Sequence, residues 1–192
     1  MRSSALFSSS GSDANAMDYT TMLSRFTNGA GLFMFNGDWE SGNLDKLMPD
    51  KVGFFLMPRA RPGGSHAAMS APLTYGIAAR AKHPDCAAFF LNWVATNPKA
   101  RQVDVTVGGS QPMGPAGAPL PVVTPGSVTA ATLAAGAQVA KENGVMGFIA
   151  NATSSIYADA WTPELQKLVA GQETPGGMLQ SVQAAYRQEL SS

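Results

Sequence analysis

Cysteine is all but missing from this chain. Cys86 stands alone, so no disulfide can form within the polypeptide, and one cysteine with two histidines cannot assemble a zinc site of the usual Cys/His kind. Charge is scarce too: only 14% of residues are Asp, Glu, Lys or Arg, and thirteen of each sign cancel with no run of either. Such a chain offers no net field to a polyanion or an anionic membrane, so nucleic acid is not an expected partner. No apolar stretch reaches the roughly 20 residues of a membrane span. The opening MRSSALFSSSGSDANA has one Arg and only Ala5-Leu6-Phe7 as an apolar centre, too short for a secretory h-region. The expectation is a chain without an export signal, cytoplasmic as written or a fragment. Catalytic signatures are equally scarce. No GxGxxG, Walker loop, HExxH or GxSxG occurs. His66 lies in a Gly/Ser loop and His83 precedes a proline, and each reads as a solvated turn or capping residue. No enzyme and no cofactor are expected.

What is present is 45% hydrophobic residue content, enough for an ordinary globular core. The most informative stretch is GLFMFNGDWE, residues 31–40. Four large apolar residues run from Leu32 to Phe35, and Asn36-Gly37 then supplies a turn. A continuous apolar run bounded by a turn reads as a strand buried on both faces, and loops leaving such strands face the ligand crevice of an open α/β sheet. Trp39 would then stand in that crevice between Asp38 and Glu40, a flat apolar platform edged with acceptors. A sugar ring, apolar on its C–H face and fringed with hydroxyls, suits such a platform. The alternative reading is a Trp that caps a local core.

Along the chain, residues 1–13 are polar and Ser-rich and read as a disordered leader. Residues 14–28 carry Met17, Met22, Leu23 and Phe26 at near-helical spacing, with Asn28-Gly29 as a stop. A short helix is expected from Gly42 to Met48, a second buried strand over VGFFLM (52–57) and a third over LTYGIAA (73–79). Pro84 and Pro98 mark two helix starts, the second capped by Asn97. In the first of these helices Phe89, Phe90, Trp93 and Val94 are apolar and Cys86 reads as a buried small residue. A Gly/Pro loop spans 108–126, an Ala-rich helix runs from Ser127 to Asn143, and Thr162-Pro163 and Thr174-Pro175 open two last helices. Strands alternating with helices give an α/β fold class.

Five segments in order resemble the family 1 extracellular solute-binding proteins, the maltose-binding-protein-like receptors of ABC sugar importers. FTNGAGLFMFNGDWE is similar to the family's F-x-x-G-x-x-x-M-x-x-x-G-x-W segment, and VGFFLMPRARPG to the strand and proline that follow. APLTYGIAARAKHPDCAAFFLNWVATNPKARQ resembles the strand that returns to the other lobe and its N-P helix, and GGSQPMGP the glycine-to-proline turn. WTPELQKLVAGQETPGGMLQSVQAAY resembles the C-terminal W-x-x-x-L-x-x-L-x-x-G-x-x-T-P segment. The resemblance implies the C-terminal portion of a two-lobed periplasmic-binding-protein-like fold. Its division is 14–68 and 113–192 in one lobe, with 69–112 belonging to the other. It implies a sugar ligand, an ABC permease as partner in the full-length context, and an extracytoplasmic location for the full-length family. Carried over by position, Trp39 matches the stacking aromatic, with Asp38 and Glu40 beside it. Tyr75, Tyr157 and Trp161 fall on aromatic positions of the cleft, and Ser110 and Gln111 on the turn that lines it. Trp161 packing against the terminal helix is the competing reading. Family members are about twice as long, so a missing N-terminal half is implied, and with it sugar binding that is weak or absent and an exposed Phe89/Phe90/Trp93 surface. An α/β interaction module and a glycoside-processing fragment, with Asp38 and Glu40 as its carboxylates, are the alternatives.

Overall fold

The computed structural model describes residues 13–70, 75–109, 111–115, 118–148, 153 and 155–191. In chain order these form α1 (Tyr19–Thr27), α2 (Ser41–Leu47), β1 (Ala68–Ser70), α3 (Pro84–Thr96), α4 (Pro98–Gly108), α5 (Val128–Lys141), β2 (Val145–Gly147), α6 (Thr162–Val169) and α7 (Pro175–Leu190). Two 3₁₀ turns, Ala14–Ala16 and Asp38–Glu40, and a π-helical segment, Ile156–Trp161, complete them. The chain divides into two compact units, Met1–Arg25 with Gly147–Ser192, and Phe26–Met146.

Residues whose chemistry is local form what the sequence dictates. Asn97 Oδ1 accepts from the backbone N–H of Lys99 (2.9 Å) and Ala100 (3.2 Å) and starts α4 behind Pro98. Ser127 and Thr174 cap α5 and α7 in the same way. Gly29, at φ +80°, turns the chain out of α1. The start at Thr162 is different. Its backbone is already helical because the π-helical segment runs directly into α6, and its Oγ1 donates back to the Tyr157 carbonyl at 2.9 Å instead of capping.

The apolar runs behave otherwise. Residues 32–35 and 52–57 lie outside regular secondary structure and join no ladder among the described residues. Their meeting point is a T-shaped contact of Phe33 with Phe55, centroids 6.0 Å apart. A strand buried on both faces needs neighbours to pair with and layers to cover it, and here Leu32, Phe33, Phe35 and Phe55 remain largely exposed. Of the third expected strand, residues 73 and 74 lie outside the described residues and 75–78 carry no regular element. The sheet that forms is β1 beside β2, with Ala68 N–H donating to the Gly144 carbonyl at 3.0 Å. Gly144 is required there, since a Cβ would strike the His66 carbonyl. Helices around so small a sheet are not diagnostic of a two-lobed receptor.

In the unit Phe26–Met146, α2, α4 and α5 enclose an aliphatic core of Leu44, Val105, Val128, Leu133, Ala135 and Val139. Polar joints stitch it. Asp45 of α2 accepts from the N–H of Val128 (2.7 Å) and Thr129 (3.1 Å) and from Thr129 Oγ1 (2.6 Å), placing a carboxylate at the positive end of α5. Arg101 is buried, with Nε donating to the Met113 carbonyl (2.7 Å) and Nη1 to that of Pro119 (2.8 Å), so a single side chain holds both limbs of the Gly/Pro loop. In the unit Met1–Arg25 with Gly147–Ser192, the π-helical segment, α6 and α7 pack around Ile156, Ala160, Met178 and Val182. Asn15 Nδ2 donates to the Gln166 carbonyl, and Ser155 to Glu189.

Candidate functional site

The turn Asp38–Glu40 sets Trp39 by two close approaches. The indole folds back over Gly37, where a Cβ would lie 2.1 Å from the ring. The Trp39 carbonyl abuts Gly109, which sits at φ +73° and whose Cβ would lie 2.7 Å from that oxygen. Gly109 must therefore be glycine, and a side chain at 37 would displace the indole. Ser41 Oγ, fully buried, donates to the Gly109 carbonyl at 2.9 Å and ties the turn to the end of α4. Against this fixed backbone, the Trp39 side chain keeps half of its surface open, at 50%. Asp38 precedes it and Glu40 follows it on the same turn, and Glu40 accepts from Asn43 Nδ2 at 3.0 Å. Asp38, Trp39 and Glu40 thus occupy one 3₁₀ turn whose indole is half-exposed.

The other sequence-derived positions fall apart from this turn. Tyr75 is exposed and belongs to no element. Gln111 is committed to α5. Its amide donates to the Thr132 carbonyl at 3.0 Å and lies so close over Gly136 that a Cβ there would meet it at 2.6 Å. Ser110 lies outside the described residues. Tyr157 and Trp161 share the π-helical segment in the other unit. Tyr157 leans on Phe148 at 5.8 Å, and Trp161 lines an open groove of about 440 Å³ with Leu179, Val182, Gln183, Tyr186 and Arg187 of α7. Trp161 thus shares this groove with residues of the terminal helix.

Two side chains depart from their sequence reading. Cys86 is exposed rather than buried, because the face of α3 that carries it is turned from α4. His66 is no solvated turn residue. Its ring is 18% exposed and its Nδ1 lies 3.0 Å from Glu142, 76 residues away. Glu142 gathers four donors: the His66 backbone N–H (2.6 Å), that ring, Gln138 Nε2 (3.0 Å) and Arg59 Nη2 (2.8 Å). Chiefly the His66 N–H, then Gln138 and Arg59, hold its carboxyl down at about 2. Glu142 sits at the negative end of α5, where a bare carboxylate is unfavourable, and these donors offset that cost. No signal in the sequence joins positions 66 and 142.

No protein-family model matches this chain, and no curated protein matches it. Among the described residues no three His, Cys, Asp or Glu side chains cluster as a metal site would require, and no helix is long and apolar enough to cross a membrane.

Proposed function

We propose that this chain is the saccharide-contacting portion of a binding protein, a component of an ABC sugar importer, acting as a receptor and not as an enzyme. The observation that carries the reading is the turn Asp38–Glu40, where a half-open indole folds over Gly37 and its residue is flanked in sequence by two carboxylates. The five ordered segments that resemble family 1 solute-binding proteins support it from the sequence side.

A pyranose lies with its C–H face on Trp39, and its hydroxyls donate to Asp38 and Glu40. Rigidity matters here, because a platform fixed before the ligand arrives loses little entropy on binding. Complete sites built from such contacts bind near ~1 μM, about −8 kcal/mol. One turn supplies a single wall, so binding here is weak, of millimolar order, and delivery to a permease requires the opposing wall as well.

Titrating mono- and oligosaccharides while following tryptophan fluorescence tests this. A weak, saturable response that disappears in Trp39→Ala is the expected result. Silence across the panel with Trp39 intact would sink the reading, and a thermal shift of several degrees would contradict the weak affinity. Turnover of a chromogenic glycoside, lost in Glu40→Gln, would favour the glycoside-processing alternative.

A further inference from the structure

Helix α7 brings five groove residues to one face. Leu179, Val182, Gln183, Tyr186 and Arg187 stand at i, i+3, i+4, i+7 and i+8, the spacing that aligns side chains along a helix. Trp161 lines the same groove from the end of the π-helical segment, and both elements belong to one unit. Val182 is buried, while Trp161 and Tyr186 are half-buried.

These groups are held in place but not engaged. Among the described residues the ring pairs are Phe33–Phe55, Phe90–Trp93 and Phe148–Tyr157, and neither Trp161 nor Tyr186 enters one. Two aromatic rings that share a groove without touching leave room for a third. The polar tips are equally free. The Trp161 indole N–H, the Gln183 amide, the Tyr186 hydroxyl and the Arg187 guanidinium form no hydrogen bond or ion pair among the described residues. Elsewhere Arg25 is engaged by Asp13, Arg59 by Glu142 and Arg101 by two carbonyls. No acidic residue lines the groove. Glu189, the other charged residue of α7, is two positions from Arg187, hence on the far side of the helix, where it accepts from Ser155.

We infer that this groove is a binding site for a small planar aromatic carboxylate. The ring system lies between Trp161 and Tyr186 and against Leu179 and Val182, and Arg187 takes the carboxylate with Gln183 as a further donor. Each property of the ligand answers a property of the groove. Planarity answers the two aromatic side chains, which favour stacked or edge-on rings. Negative charge answers a free guanidinium, whose fork matches a carboxylate in a bidentate pair. Size answers the volume, since about 440 Å³ falls in the lower part of the roughly 300–1,000 Å³ of small-molecule sites. The groove is open, so part of the ligand stays in water and the dissociation constant is on the order of 0.1 mM. Asp38, Trp39 and Glu40 belong to the other unit, so this site stands or falls apart from the saccharide reading.

The test is a titration of the full chain with 2-naphthoate, followed through the indole N–H resonances of isotope-labelled protein. Trp39, Trp93 and Trp161 each give one such peak, and Trp161→Phe identifies its own by deletion. The expected result is a saturable shift of the Trp161 peak while those of Trp39 and Trp93 stay still. Arg187→Gln weakens naphthoate about 10-fold, the worth of a charge-assisted pair, and leaves the neutral analogue 2-naphthylmethanol unchanged. That alcohol binds the wild-type chain about 10-fold more weakly than the acid, for the same reason. Decanoate, which has the charge but no ring, binds several-fold more weakly than naphthoate. A still Trp161 peak, a shift led by Trp39 or Trp93, equal binding of acid and alcohol, equal loss of both in Arg187→Gln, or decanoate as tight as naphthoate would each overturn the proposal.

Discussion

Glycine 37 and glutamate 142 show how much can depend on single positions. The indole of Trp39 lies where the Cβ of any other residue at 37 would be, so Gly37→Ala must expel the ring or move the turn. The expected outcome is a shifted Trp39 emission and loss of whatever saccharide response the wild-type chain gives, read by fluorescence. This local fact was within reach of the sequence, since a glycine two residues before a Trp permits a folded-back ring. At Glu142 the prediction concerns pH. Its carboxyl is held at about 2 against an ordinary 4.5, so between those values the unfolded chain binds more protons than the folded one. The stability it confers is present above pH 4.5 and is lost as pH falls through about 2. Thermal melts of wild type and Glu142→Gln are therefore expected to differ at pH 6 and to converge toward pH 2. Nothing in the sequence revealed this contact, because its two halves lie 76 residues apart.

Helices and loops separate what could be read from what could not. The starts at Asn97, Ser127 and Thr174 were legible because a cap and the first turn are neighbours in sequence, joined by a proline at Pro98 and Pro175. Asn97→Ala should cost about 1 kcal/mol in chemical denaturation, the usual worth of such a cap. The runs 32–35 and 52–57 were misread as strands because apolar character reports a wish for burial, and only a distant partner can grant it. The π-helical segment was invisible for another reason. Thr162-Pro163 carries a cap-plus-proline signature, and only the helical backbone preceding it cancels the signal. The Gly/Pro loop owes its form to Arg101, whose two bonds to the Met113 and Pro119 carbonyls have no counterpart in loop composition. Arg101→Met should lower stability by roughly 2–3 kcal/mol, by removing two hydrogen bonds from a buried charged group, measurable in the same denaturation experiment.

At the scale of the molecule, the buried hydrophobic residues are aliphatic: Val, Leu, Ile, Ala and Met, with no aromatic ring fully enclosed among the described residues. Unfolding such a chain uncovers less apolar surface than its length suggests. Proteins gain ~12–15 cal/mol/K per residue, or roughly 2.3–2.9 kcal/mol/K for 192 residues, and calorimetry should return a value below that range. The joint between Asp45 and the start of α5 adds a statement about time. Its partners are separated by 83 residues, and closing a loop of that length costs about 4 kcal/mol in chain entropy, so the contact cannot help α5 to nucleate. It is a late contact, made once the chain has already collapsed. Asp45→Asn should therefore leave the refolding rate nearly unchanged and speed unfolding, so that this carboxylate governs how long the native state lasts and not how quickly it is reached.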